Sequence, residues 1–142
     1  MFLAFFLSCF GARTAVLECT SDFGEPEGAT RESRTLPLGS GVYMAFRTDT
    51  VRTWSLRKAF LLIHLSSPAA PSQLRVETPG RRSTRTYKVQ REEGGWLRID
   101  LDRESARAAV RSGLKLHSKS PAEIHTRESV EFSPYLIVEE ER

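Results

Sequence analysis

The chain has 142 residues, which is enough for one domain with a hydrophobic core of its own. Hydrophobic residues make up 39% of the sequence and charged residues 27%, which is globular usage and argues against a disordered chain. The net charge of +3 is too small for a dedicated nucleic-acid-binding protein.

The chain opens with an almost continuous apolar run, Met1 to Phe10. The run is shorter than the roughly 20 apolar residues that span a bilayer, but it suits the hydrophobic region of a secretory signal peptide. We therefore predict a signal peptide over residues 1–19, a secreted protein and no transmembrane span. Cleavage after Gly11, with Cys9 two residues earlier, also fits the small-residue rule. A buried N-terminal strand or helix is the alternative, because no Lys or Arg precedes the run.

The sequence contains two cysteines, Cys9 and Cys19, and neither belongs to a metal-binding pattern. Cleavage after Gly11 would remove Cys9 and leave Cys19 alone. A single cysteine in a secreted protein indicates an intermolecular disulfide, or else an inert free thiol. We expect no metal and no cofactor.

Residues 20–40 are rich in Gly and Pro and show no apolar period. This composition predicts a flexible linker, with the folded domain over residues 41–142.

Val42 to Thr48 alternates as a strand does, and Lys58 to Leu65 is a continuous apolar run typical of a strand buried on both faces. Gln73 to Thr78 and Thr84 to Gln90 flank a turn and read as a hairpin.

The last third of the chain predicts a strand, a helix and two further strands. Residues 96–101 alternate with Leu97, Ile99 and Leu101 on the apolar face. Asp102 is suited to begin a helix over 103–112, and Gly113 is suited to end it. Residues 114–118 form the next strand. The final strand lies within 130–139, and Pro134 within it predicts that the strand begins late or lies at a sheet edge. About seven strands and one short helix predict a mainly β protein, an antiparallel β-sandwich or open barrel.

Catalytic patterns are scarce, and we predict that the protein is not an enzyme. No nucleophile-elbow motif and no phosphate-binding glycine loop occur. His64 lies inside an apolar run, where a hydrogen-bonded structural histidine is the simpler interpretation. Asp100 and Asp102 form a close carboxylate pair, but Asp102 has the plainer role of a helix cap.

Two sets of residues are candidates for binding. The first set is aromatic: Trp54, Trp96 and Tyr135. Aromatic residues are enriched at interface hot spots, although they also anchor the cores of small domains. Basic residues that could form a face for sulfated glycan are Arg81, Arg82, Arg85, Arg103, Arg107 and Arg111. Nucleic acid is disfavoured, because only Tyr87 is available among them to stack on a base. A solvated charged surface is the alternative for this set.

Several segments in order resemble the arm domain of transforming growth factor β family prodomains. Tyr43-Met44-Ala45-Phe46-Arg47-Thr48 is similar to the first arm strand, and residues 59–65 resemble the apolar strand after it. Gly95-Trp96-Leu97-Arg98-Ile99-Asp100-Leu101 resembles the family's Trp-apolar-x-apolar-Asp-apolar strand, which leads into a short helix. Leu114-Lys115-Leu116 matches the next strand. Pro134-Tyr135-Leu136-Ile137-Val138 matches the Pro-Phe/Tyr-Leu strand that closes the prodomain.

The resemblance covers about 100 residues and implies a β-sandwich that binds a cystine-knot growth factor dimer and assists its folding. The family's N-terminal wrapping segment, mature growth factor and Arg-x-Lys/Arg-Arg processing site have no counterpart in this sequence. We therefore expect a truncated precursor or a stand-alone arm domain. The alternative function is that of a basic β-domain that binds anionic glycan or nucleic acid.

Overall fold

The computed structural model describes residues 12–24, 34–48, 51–79 and 83–141, which form strands around one α-helix, α1 (Arg103–Ser112). The strands in chain order are β1 (Ala12–Gly24), β2 (Thr35–Pro37), β3 (Val42–Phe46), β4 (Leu56–His64), β5 (Gln73–Thr78), β6 (Ser83–Lys88), β7 (Gln90–Arg91), β8 (Trp96–Leu101), β9 (Leu114–His117), β10 (Glu123–His125) and β11 (Tyr135–Glu141). Short 3-10 turns occupy Leu38–Ser40, Thr53–Ser55, Glu93–Gly95 and Val130–Phe132.

Nine of these strands form one antiparallel sheet in the order β6-β5-β9-β3-β1-β11-β4-β8-β7. β6 also contacts β8, so the sheet is nearly closed into a barrel. The two short strands β2 and β10 pair separately. The predicted mainly β architecture with one short helix is confirmed.

The sheet has two halves, and β1 belongs to both. Residues 12–18 pair with β11, whereas residues 19–24 pair with β3. The register shifts between Cys19 and Ser21, where the strand has one residue more than β3. Such a bulge bends a strand and lets it pass from one layer to the other. We call the half that contains β11, β4, β8 and β7 the β4 half, and the other the β5 half.

The prediction of a linker over 20–40 is wrong wherever the structure describes that segment. Residues 20–24 complete β1, and residues 35–40 form β2 and a 3-10 turn. β1 lies between β11 and β3, so the folded domain begins well before residue 41. A signal peptide ending at residue 19 would cut through β1. Residues 1–11, including Cys9, and residues 25–33 lie outside the described part of the chain.

Helix α1 contacts β3 and β5 of one half and β4 and β8 of the other, so it links the two halves. Asp102 caps its first turn by accepting a hydrogen bond from the Ser105 backbone N–H at 2.8 Å. Ala106, Ala109 and Val110 are buried in the core. Gly113 follows the helix with φ of 77°, as predicted for this glycine. The described residues include no helix that is long and apolar enough to cross a membrane.

The β4 half buries apolar side chains on both of its faces. Its inner face belongs to the main core, with Leu61, Ile63, Leu97, Ile99 and Leu136 almost fully buried. Its outer face carries a second, smaller cluster. The continuous apolar run of β4 is thus explained, because successive side chains point to opposite faces and both faces are apolar.

Candidate protein-binding face

The second cluster forms an apolar patch on the outside of the β4 half. We call it the outer aromatic face, and its members are Phe60, Leu62, Trp96, Tyr135 and Ile137. Strand pairing brings them together, since Tyr135 lies opposite Leu62 and Ile137 lies opposite Phe60. The cations of Lys58 and Arg98 lie 5.1 and 5.5 Å from the Phe60 ring centre and cover part of the patch.

Trp96 and Tyr135 meet at one end of this face. Their ring centres are 5.4 Å apart with an edge-to-face angle of 70°, which is a favourable aromatic geometry. Both side chains are half-buried. Burial raises the pKa of the Tyr135 phenol, so it remains neutral at physiological pH and can donate one hydrogen bond. A large aromatic pair that is half-exposed and polar at its tip suits a protein interface.

A groove of about 460 Å³ runs beside this pair. Its apolar wall includes Val16, Trp96, Pro134 and Tyr135, while Glu18, Arg127 and Glu131 supply charge at its edges. Val16 is 46% exposed, and Val130 on the adjacent 3-10 turn is 89% exposed. Large apolar side chains at a groove edge, surrounded by charged groups, are typical of a surface that contacts another protein.

His64 packs against Trp96, and His125 contacts His64. The His64 ring lies 5.1 Å from the Trp96 ring and stacks on Phe132 at 3.9 Å between centres. Its Nδ1 lies 2.9 Å from Nδ1 of His125, and its Nε2 donates a hydrogen bond to the Gly94 carbonyl oxygen at 2.7 Å. His64 is 8% exposed. His64 is therefore buried and hydrogen-bonded, as the sequence predicts.

Trp54 does not join the outer aromatic face. It lies in the 3-10 turn before β4, whereas Trp96 pairs with His64 at the far end of that strand. The length of β4 separates the two tryptophans by roughly 25 Å. Trp54 is 70% exposed, and the Arg52 guanidinium lies 5.9 Å from its ring centre. It forms the wall of a separate hollow of about 360 Å³ that also includes Arg13 and Glu140.

The candidate basic face is largely neutralised where the structure describes it. Arg85 forms ion pairs with Asp102 and Glu104, and Arg103 pairs with Glu141 at 3.0 Å. Arg107 donates to a backbone carbonyl of the Trp54 turn, and Arg111 is exposed near the end of α1. Arg81 and Arg82 lie outside the described residues. Ion pairing leaves less positive charge for a sulfated glycan than the sequence implies.

Cys19 lies in the core rather than at the surface. The residue is 6% exposed, and its Sγ donates to the Ser21 carbonyl oxygen at 3.4 Å and lies 4.0 Å from the Asp22 carboxylate. Burial raises the pKa of the Cys19 thiol to about 12, and the nearby Asp22 charge adds to the effect. An intermolecular disulfide needs an accessible thiolate. This environment argues against the predicted disulfide and favours the alternative of an inert thiol.

No group of three or more potential metal ligands is present among the residues that the structure describes. Comparison with protein-family models finds no match to this chain, and comparison with curated proteins finds none either. The resemblance to growth-factor prodomains therefore depends on the sequence motifs alone.

Proposed function

We propose that this chain is a secreted, propeptide-like domain that binds a transforming growth factor β-like ligand through its outer aromatic face. The observation that carries the proposal is the contact between Trp96 and Tyr135. Each residue belongs to a separate motif of the resemblance, and the two meet beside an open groove. Binding would occur by burial of surface, with no bond chemistry.

The geometry supports a patch rather than a deep pocket. Phe60, Leu62 and Ile137 form a firm base under the aromatic pair, since each is 9% exposed or less. Hot-spot residues in protein complexes are usually large aromatics of this kind, held by well-packed neighbours and surrounded by charge. A partner that covers Trp96, Tyr135 and Val16 would remove apolar area from water without unfolding the domain.

The proposal includes secretion, and the fold limits where a signal peptide can be cleaved. Residues 12–18 pair with β11, so a cleavage that preserves the sheet must fall before Ala12. Cleavage after Gly11 meets this condition, whereas cleavage after Cys19 does not. The intact mass of a tagged chain from the medium of secretory cells distinguishes the two sites. A full-length mass that is found only in the lysate would overturn secretion.

Binding is tested by co-expression with individual transforming growth factor β family ligands, followed by capture from the medium. Val16→Glu places a charge in the groove at an exposed position, so the domain should fold while capture falls at least tenfold, the equivalent of about 1.4 kcal/mol. Tyr135→Ser should weaken capture in the same way. Trp54→Ala is the matched control, because it removes an exposed tryptophan far from the face.

The salt dependence of capture separates this proposal from glycan binding. An apolar interface changes little between low and moderate salt, whereas binding through sulfate groups weakens steeply. Equal capture by the original chain and Val16→Glu, or loss of capture with salt, would contradict the outer aromatic face as the binding surface.

A further inference from the structure

We infer that the contact between His64 and His125 is an acid-sensitive latch, which opens at mildly acidic pH and releases the Val130–Phe132 turn from the outer side of β4. The inference concerns the isolated chain and holds whether or not the chain binds a growth factor. It rests on the number of protons that the contact can hold.

The proton count follows from the hydrogen bonds. The Gly94 carbonyl oxygen can only accept, so His64 Nε2 carries a proton. The two Nδ1 atoms are 2.9 Å apart, and a contact of this length holds one proton between them. His125 Nε2 can carry one more. The intact pair therefore holds at most three protons on its four nitrogens, and a net charge of +1.

The open pair has no such restriction. Two separate, solvated histidines with ordinary pKa values near 6.5 take up four protons in acid and carry a charge of +2. Opening therefore takes up protons below about pH 6.5, and the uptake approaches one proton or more as the solution becomes more acidic. By linkage, acid favours the state that binds more protons, so the free energy that holds the latch closed is fully present above about pH 6.5 and declines below it.

The surroundings do not remove this effect. Burial lowers the pKa of His125, and the neighbouring His64 lowers it further. Arg34, Glu128 and Glu131 line the cavity next to His125, and Tyr135 is the titratable group on β11 beyond Trp96. Among the described residues, neither carboxylate forms a hydrogen bond or ion pair with either imidazole ring.

β10 is anchored independently of the latch, since Ile124 is fully buried in the core and the Ser66 backbone N–H donates to the Glu123 carbonyl oxygen at 2.8 Å. His125 lies on β10, which pairs with β2, and the bridge between Leu65 and Ile124 continues the link to the end of β4. Phe132 stacks on His64 at 3.9 Å and lies 5.0 Å from the His125 ring. Separation of the two imidazoles would withdraw Phe132 and expose the buried side of Trp96.

The fluorescence of Trp96 reports the state of the histidine pair. Its ring lies 5.1 Å from His64, and a protonated imidazole at this distance alters indole fluorescence. In a Trp54→Phe background, the emission of Trp96 should show one transition between about pH 7.5 and about pH 5.5. His125→Gln in that background keeps a neutral donor for His64 Nδ1 and should abolish the transition. His117→Gln, on the other half of the sheet, should leave it unchanged.

Hydrogen exchange on the unmodified chain gives a second readout, which does not depend on any variant folding. After correction for the intrinsic pH dependence of exchange, the Phe132 amide, which donates to the Ser129 carbonyl oxygen at 2.7 Å, should lose protection in acid relative to residues 114–117. Retention of the Trp96 transition in His125→Gln, its loss in His117→Gln, or unchanged protection of the Phe132 amide would overturn the latch.

Discussion

The Arg107 guanidinium donates a hydrogen bond from Nη2 to the carbonyl oxygen of Trp54, with a separation of 2.8 Å. This bond joins the middle of α1 to the turn that precedes β4. It explains how an indole that is 70% exposed comes to lie on an ordered turn. Arg107 is half-buried, and its Nε is buried with no hydrogen-bond partner among the described residues.

We expect Arg107→Ala to loosen the Trp54 turn. A hydrogen bond from a charged donor contributes about 1.5–3 kcal/mol when it is shielded from water, and solvent reduces that value here. Amide exchange at residues 53–55 should therefore accelerate, with only a small fall in melting temperature. Arg111→Ala, one turn further along the same helix, is the control and should leave these amides unchanged. Equal exchange in both variants would show that the bond does not order the turn.

We expect Glu140→Ala to lower the free energy of unfolding by about 2–3 kcal/mol. Glu140 is 4% exposed, and its Oε1 accepts hydrogen bonds from the Arg52 backbone N–H at 2.8 Å and from Ser55 Oγ at 3.2 Å. Alanine removes the acceptor of both donors. Glu140→Gln keeps a carbonyl oxygen and should lose less. Urea titration measures the difference.

The neighbouring Glu139→Ala provides the control for that experiment. Glu139 pairs with the half-exposed Lys58 at 3.1 Å, and pairs of this kind contribute about 0–1 kcal/mol. A similar loss at positions 139 and 140 would contradict the role assigned to the buried carboxylate.

Gly113→Ala should be strongly destabilising. A Cβ at this position would lie 2.3 Å from the Met44 carbonyl oxygen, and the φ of 77° disfavours any side chain. Strain and displacement of β3 together should cost about 3 kcal/mol. Gly39→Ala is the matched control, since the nearest atom to its Cβ would be 4.0 Å away. Thermal unfolding of the two variants gives the comparison, and similar melting temperatures would refute the close approach.

Asp22 gives the protein a pH dependence opposite to that of the histidine pair. Burial raises the pKa of this carboxyl, against the hydrogen bond that it accepts from the Arg127 backbone N–H at 2.8 Å. The folded state therefore holds the Asp22 proton more tightly than the unfolded state. Its contribution to stability is most favourable below the unfolded pKa of about 3.9 and declines as pH rises through the folded pKa.

Asp22→Asn keeps an acceptor for Arg127 without the buried charge, so it should stabilise the protein at neutral pH. The advantage over the original chain should shrink as the solution is acidified, because Asp22 then becomes neutral as well. Asp22→Ala leaves the Arg127 N–H without its acceptor and should destabilise at every pH. Unfolding curves at several pH values measure these differences in stability. A pH-independent difference in the free energy of unfolding between Asp22→Asn and the original chain would contradict the expectation.

Cys19 should resist alkylation in the folded protein. Its thiol is buried, and its pKa of about 12 leaves almost no thiolate at neutral pH. In a Cys9→Ser background, iodoacetamide should label Cys19 only as fast as the protein unfolds, and urea should raise the rate to that of a free thiol. Rapid labelling without denaturant would show that the site is open.

The elements that the sequence predicts correctly carry local signals. Asp102 and Gly113 bracket α1 as their chemistry indicates, and the hairpin of β5 and β6 forms across the expected turn. Pro134 delays the last strand, which begins at Tyr135. Each of these features depends on residues that are close together in the chain.

The elements that the sequence misses are stabilised by distant partners. The second part of β1 is polar and leads into a Gly- and Pro-rich stretch, and it is a strand because β3 pairs with it. β2 and β10 are three residues each and pair with each other across a long sequence separation. The same holds for the candidate site, where His64 and His125 are 61 positions apart and only the fold brings their imidazoles into contact.

The pairing of β1 with β11 imposes an order on how the protein assembles. These strands come from opposite ends of the described chain, and β11 is inserted between β1 and β4. During synthesis, the first part of β1 and the edge of β4 that pairs with β11 therefore remain unpaired until β11 leaves the ribosome. Contacts of such high sequence separation slow folding and expose open strand edges in the meantime. The nascent chain is consequently most vulnerable to misassociation just before β11 emerges.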